Sequence, residues 1–290
     1  MGPHGVINAE TEEHKDKNPI LIHLLTAEGY LTEGLAPLLV DQGYEVWVGA
    51  ARGQVYSNVH DRDGEWSLEE RWDFDGTDMG YYDMTVMLKK MYEVTGKKAV
   101  IMGYSMGAYE ALYGMAKRQD IWERYTKRFI GYAPCILSEI IELDAPYPTV
   151  AVNYKGEYDK GNFLVNQGER PSSERFFAPT IDCSKTKENI CEYEYGTPIA
   201  VEMHHAQIKI ARRFQERQSI QKWLKGEIMT PFVDFSQISQ IPVTFVLPIK
   251  EIACPTSFNE AVFHSIKSPD SYIRFERGGH WMYWLEGDEA

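Results

Sequence analysis

The sequence predicts an α/β protein, a mostly parallel, doubly wound sheet with an inserted, mainly helical cap. Three observations carry this. Apolar runs of strand length alternate with amphipathic helical stretches from about residue 20 to 133 and again from about 240 onward. Between 134 and 239 that alternation stops, and the chain becomes rich in aromatic residues, Pro and charge. Finally, Gly103-Tyr104-Ser105-Met106-Gly107 stands where an apolar strand gives way to a helix led by small residues.

In order along the chain, Ile20 to Leu25 has the length and composition of a buried strand, and Tyr30 to Gln42 reads as the helix after it, closed by Gly43. Tyr44 to Gly49 is a second strand, rich in aromatic and β-branched residues. A polar excursion through Arg52-Gly53 reaches about Trp72. A helix over Thr77 to Thr95 comes next, with Met79, Tyr82, Val86, Met87 and Met91 expected on one face. Ala99 to Gly103 is the third strand, Ala108 to Lys117 the next helix and Phe129 to Ala133 the fourth strand. The stretch 134–239 contains one clear helix, near Pro198 to Glu216. Alternation resumes with a strand over Ile241 to Leu247, a helix over Phe258 to Ile266, a strand over Tyr272 to Phe275 and a terminal helix after His280. The expected organisation is a polar segment 1–19, a core in two parts, 20–133 and 240–290, and a cap 134–239. Right-handed strand–helix–strand units then make the sheet parallel.

Composition narrows the partners. Thirty Lys and Arg against 43 Asp and Glu leave a net charge of −13, and no basic run is longer than a pair such as Lys97-Lys98. Such a chain repels phosphate backbones and anionic headgroups, which argues against nucleic acid as a partner. No window approaches the roughly 18 uninterrupted apolar residues of a spanning helix. Met1 to Pro19 is polar and lacks the apolar stretch of a secretory signal, so the expected location is intracellular, cytoplasmic or within an organelle after removal of a presequence. Cys135, Cys183, Cys191 and Cys254 lack metal-ligand spacing; they read mostly as thiols, Cys183 and Cys191 being the one pair close enough in sequence to consider bridging.

The chemistry is expected around Ser105. In a G-x-S-x-G turn the Ser projects above the strand ends beside a helix N-terminus, where oriented N–H groups can stabilise an oxyanion. A hydroxyl needs a base, and His280, brought back toward the sheet by Gly278-Gly279, is the candidate. The other histidines fit less well: His4, His14 and His60 lie in polar stretches, His23 ends the first strand, His204 and His205 sit on the cap helix, and His264 lies on a helix face. The loop after the Val243–Leu247 run offers Glu251 as the carboxylate, 29 residues before His280.

These residues resemble the acid lipases, the gastric and lysosomal acid lipase group of α/β-hydrolases. The resemblance is carried by Gly43-Tyr44-Glu45-Val46-Trp47-Val48-Gly49 with Arg52-Gly53 and Tyr56-Ser57, by Trp72-Asp73-Phe74, by Asp78-Met79-Gly80-x-Tyr82-Asp83, by Thr95-Gly96-x-Lys98 and by the Ser105 turn. It extends through Cys183, Cys191 and Thr197 to Gln207, where the family has a disulfide and a comparable helix. It implies an α/β-hydrolase fold, hydrolysis of carboxylic esters of lipids without metal or organic cofactor, Ser105 as nucleophile, Glu251 as the acid and His280 as the base. The oxyanion hole would use the backbone N–H groups of Leu25 and Met106. The departures support a second reading, a catalytically degenerate hydrolase serving as a structural or interaction subunit. His23-Leu24-Leu25 replaces His-Gly-Leu, Tyr104 and Met106 replace the family's His and Gln, Pro248-Ile249-Lys250 replaces a Gly-Gly turn, and the acid is Glu. The family's N-terminal strands have no counterpart in 1–19, which leaves a sheet edge for a protein partner that would also order the N-terminus.

Overall fold

The computed structural model describes residues 18–23, 35–53, 57, 67–139, 149–160, 164–165 and 197–280. Its strands are β1 (Pro19–His23), β2 (Glu45–Gly49), β3 (Ala99–Tyr104), β4 (Thr126–Tyr132), the short pair β5 (Leu164–Val165) and β6 (Thr197–Pro198), then β7 (Val243–Pro248) and β8 (Tyr272–Glu276). Six of them form one sheet in the order β2-β1-β3-β4-β7-β8, and every pairing in it is parallel. The chain leaves β1 for β2 on one side and returns to β3 on the other. The C-terminal ends of β1 and β3 therefore border the switch point at which open α/β sheets place their sites. Central strands read as unbroken apolar runs because both faces are covered, and β7 is buried at all six positions. Edge strand β8 has no buried residue: Tyr272, Arg274 and Phe275 are exposed, and Ile273 and Glu276 are half-buried. At the opposite edge, β2 pairs only with β1 among the described residues.

Helix α1 (Leu35–Asp41) comes after β1. The expected helix over 77–95 is three pieces after the short α2 (Leu68–Trp72): α3 (Gly76–Asp78), a π-helical turn over Met79–Asp83, and α4 (Met84–Thr95). That turn overturns the expected apolar face at Tyr82 and Val86, whereas Met79 and Met91 are buried as expected and Met87 packs against the core. Met79, Met84, Leu88 and Met91 are buried, whereas Tyr82 and Val86 are about half exposed, at 51% and 57%. The wider i→i+5 winding puts residues five apart on one face, so Met79 aligns with Met84, and a 3.6-residue count misplaces the residues beyond the turn. At the same turn the helix approaches α5 (Met106–Lys117) closely. A Cβ on Gly80 would stand 2.1 Å from the carbonyl oxygen of Glu110. Helix α5 is buried from Met106 to Ala116, as befits a helix that is apolar nearly all round. Between it and β4 lies α6 (Gln119–Tyr125), unassigned from sequence, which is anchored by the fully buried Trp122.

The stretch 134–239 supplies α7 (Thr149–Asp159), α8 (Ile199–Ala211), α9 (Ile220–Leu224) and a 3₁₀ turn over Phe235–Gln237. Val201, Ile208, Phe214, Val233 and Phe235 join the main core beside Tyr109 and Leu112. Val150, Ala151, Met203, Ala206, Ile220 and Trp223 form a smaller cluster between α7, α8 and α9. Helix α8 thus serves both. The helix α10 (Thr256–Ser265) separates β7 from β8.

The cysteines depart from expectation. Cys135 and Cys254, expected as thiols, form a disulfide. They lie 119 residues apart in sequence, but they come after β4 and β7, which are neighbours in the sheet and end on the same side. Cys183, Cys191, Leu25, the 1–17 segment and the expected helix after His280 lie outside the described residues. Among the described residues, no helix is long and apolar enough to cross a membrane.

Candidate active site

Ser105 occupies the single residue between β3 and α5, with φ 53° and ψ −119°. A non-glycine residue there stores on the order of 1–3 kcal/mol of strain, which its surroundings must hold in place. They do so through the backbone. Ser105 N–H donates to the Tyr132 carbonyl at 3.0 Å, and its own carbonyl accepts from Ala108 and Cys135 N–H, both at 3.1 Å. Gly103 is needed because a Cβ would lie 2.8 Å from the Gly107 carbonyl oxygen and 3.0 Å from the Ala108 backbone. Met106 opens α5 and is buried. Its N–H belongs to the first turn, where no intrahelical acceptor exists.

The structure brings Ser105, His280 and Glu251 together. Ser105 Oγ lies 2.9 Å from His280 Nε2, and His280 Nδ1 lies 2.8 Å from Glu251 Oε2. His280 is buried, and the Glu251 side chain is 1% exposed. The other carboxylate oxygen, Oε1, accepts from Ala253 N–H at 2.8 Å and Cys254 N–H at 3.1 Å. A carboxylate fixed this way accepts a hydrogen bond from Nδ1–H and so holds the proton on that nitrogen, which leaves the Nε2 lone pair facing the serine. The extra methylene of Glu is accommodated because the loop after β7 folds its own backbone N–H groups onto the carboxylate.

Three loops carrying this arrangement are laced together by contacts sequence reasoning missed. Tyr104 Oη donates to the His280 carbonyl at 2.8 Å. Lys250 N–H donates to the Gly278 carbonyl at 2.9 Å, joining the loops after β7 and β8. Asn259 Nδ2 donates to the Pro134 carbonyl at 2.6 Å and Glu139 N–H to the Ala253 carbonyl at 2.7 Å, joining those after β4 and β7. The Cys135–Cys254 disulfide spans the same gap. Only the sheet order could have shown that residues so far apart in sequence meet.

The strings that carry the family resemblance turn out to hold the scaffold. Arg52 donates from both its backbone N–H and its guanidinium to the Asp83 carboxylate, at 2.7–3.0 Å, tying the end of β2 to the π turn. Asp75, fully buried, receives Arg217 Nε at 2.9 Å and Thr77 N–H and Oγ1 at 2.6 Å. Burial pushes its pKa up, but the nearby His204 and Arg217 charges and the Thr77 hydrogen bonds outweigh this and hold it below the usual carboxylate range. Burial first, and His204 second, push the His205 imidazole down to about 3. His204 Nε2 meets the Gln215 carbonyl at 2.7 Å. The two α8 histidines therefore lie in the buried polar cluster around Asp75. Among the described residues, one group of candidate metal ligands lies close together: Glu251, Cys254 and His280, whose ligand atoms are all within 4.8 Å of one another. Its sulfur is engaged in the disulfide.

No protein-family model matches the chain. In fold it is similar to a soluble variant of monoglyceride lipase from Saccharomyces cerevisiae, with a TM-score of 0.58 at 15% identity over 94% of this chain and 82% of that one. The parallel sheet, its helices and this likeness define an α/β-hydrolase fold. By sequence the chain is 31% identical over 139 residues to lipase lipl-3 of Caenorhabditis elegans, a match covering 46% of this chain and 34% of that protein. It is 28% identical over 145 residues to the lysosomal acid lipase/cholesteryl ester hydrolase of Macaca fascicularis, covering 46% and 35%. The chain thus spans about a third of the length of the curated relatives it matches. By sequence it is similar to these lipases over part of their length, and its fold is that of the α/β-hydrolases.

Proposed function

We propose that the chain is a serine hydrolase of carboxylic, lipid-like esters, acting through Ser105, His280 and Glu251 and an acyl-enzyme. The observation that carries this reading is the continuous hydrogen-bond path from Ser105 Oγ through both imidazole nitrogens to a buried Glu251 carboxylate. In this reading Ser105 Oγ attacks the acyl carbon as His280 Nε2 takes its proton, and Glu251 holds the resulting imidazolium. The oxyanion is received by the Met106 and Leu25 N–H groups. The imidazolium then protonates the leaving alcohol, and water, deprotonated by the same nitrogen, releases the acid. No metal or organic cofactor enters these steps. Residues 134–239 act as the cap over the ester, a role supported by the separate cluster of α7, α8 and α9.

The test pairs hydrolysis of short- and medium-chain p-nitrophenyl esters with fluorophosphonate labelling. Wild type should take the label and turn over ester, and Ser105→Ala should lose the label and at least about 10³-fold in kcat. Folded wild type that takes no label and is no faster than Ser105→Ala would sink the proposal and favour the interaction-subunit reading.

A further inference from the structure

We propose that reduction of the Cys135–Cys254 disulfide unmasks a site for a borderline-soft divalent cation such as Zn²⁺, built from Cys254 Sγ, His280 Nδ1 and a Glu251 carboxylate oxygen, and that its occupation disarms the hydrolase site. The last clause rests on the function proposed above; the cation site does not.

The ligand set is the argument. Thiolate, imidazole and carboxylate are the three side-chain types that Zn²⁺ takes, and a three-residue set leaves its fourth position for water. The three ligand atoms lie within 4.8 Å of one another, while a tetrahedral site with bonds of about 2.0–2.3 Å needs somewhat shorter separations, which side-chain rotation supplies. Charge also balances. One thiolate and one carboxylate around a dication give a neutral site, which suits a place where Cys254 is fully buried and Glu251 and His280 nearly so. The loop is held independently of the disulfide by the two N–H bonds to Glu251 Oε1, by Glu139 N–H on the Ala253 carbonyl and by Asn259, so Cys254 has reason to stay beside its partners once reduced. In the oxidised protein the sulfur is bonded to Cys135 and offers no thiolate.

The steps balance. A phosphine reductant with one water gives two electrons and two protons to the S–S bond, leaving two thiols and a phosphine oxide. On binding, Cys254 releases its proton to solvent, and the imidazole proton moves from Nδ1 to Nε2 as Nδ1 takes the metal. Nε2 then carries a hydrogen and can no longer accept one from Ser105.

The experiment uses the full chain, reduced with a phosphine, desalted without air and titrated with Co²⁺ alone. Reduced wild type should show a thiolate-to-cobalt charge-transfer band in the near ultraviolet that Zn²⁺ displaces, with Co²⁺ bound at least about tenfold more tightly than by oxidised wild type. Cys135→Ser should show the same band without reductant. Reduced Cys254→Ser should lack it. A folded reduced protein without the band, a band that survives Cys254→Ser, or loss of the fold by both reduced wild type and Cys135→Ser overturns the proposal. In the activity arm, Zn²⁺ should block ester hydrolysis after reduction only, reversibly with a chelator. A protein inactive in both redox states but retaining the band fails the hydrolase reading and leaves the cation site standing.

Discussion

Glu251 spends one carboxylate oxygen on His280 and the other on two backbone N–H groups, so its replacement separates charge from position. Glu251→Gln keeps the size but makes the acceptor neutral and able to donate, which stabilises the wrong imidazole tautomer. We expect kcat to fall by about 10⁴-fold in stopped-assay kinetics with an unchanged circular dichroism spectrum. A second prediction concerns acid. His205 has a folded-state pKa of about 3, below its unfolded value of 6.5, so it stays neutral in the native state while the unfolded chain gains a proton. Its contribution is absent above pH 6.5, and stability is lost as pH falls from 6.5 toward 3, by up to about 1.4 kcal/mol per pH unit. His205→Phe should flatten urea-unfolding free energy against pH in that window. Ser105, His280 and Glu251 can be nominated from sequence because a motif, a Gly-Gly turn and a fixed chain order mark them. Nothing local marks Tyr104 as the anchor of the His280 carbonyl, since its partner lies 176 residues away.

At the scale of elements, strands and helices are legible wherever one period holds throughout. The 77–95 helix shows where that fails. Its π turn changes the period for five residues, and no residue type announces the change, so a single period assigns Tyr82 and Val86 inward while Met84 and Leu88 take their place. The reason for the turn is packing. It brings Gly80 against the Glu110 carbonyl and positions Asp83 to receive Arg52. Gly80→Ala would drive a methyl group into the α5 backbone at Glu110, and we expect a loss of about 3 kcal/mol or more in urea unfolding, with the fluorophosphonate label retained in the folded fraction. Arg217, on the segment after α8, clamps the same region through Asp73 and Asp75.

For the whole molecule, the order of strands is legible only as a class: alternation predicts a parallel sheet, but not that β4 and β7 are neighbours. That adjacency pairs Cys135 with Cys254, a pairing that sequence spacing argues against. A bridge closing a loop this long restricts the unfolded chain strongly, and reduction should lower the unfolding free energy by about 2–5 kcal/mol, read as a shift in urea midpoint with and without a phosphine. The same adjacency orders events during synthesis. The serine turn is complete once β3, β4 and α5 have emerged, yet the proposed base lies 175 residues beyond the serine, after two more strands of the main sheet. At about 5–20 residues per second, a ribosome takes on the order of ten seconds or longer to cover that distance. On the proposed mechanism the nascent chain would display, throughout that interval, a serine hydroxyl without its proton acceptor, so that reactivity would arrive only after β8 has joined the sheet and would itself report that pairing.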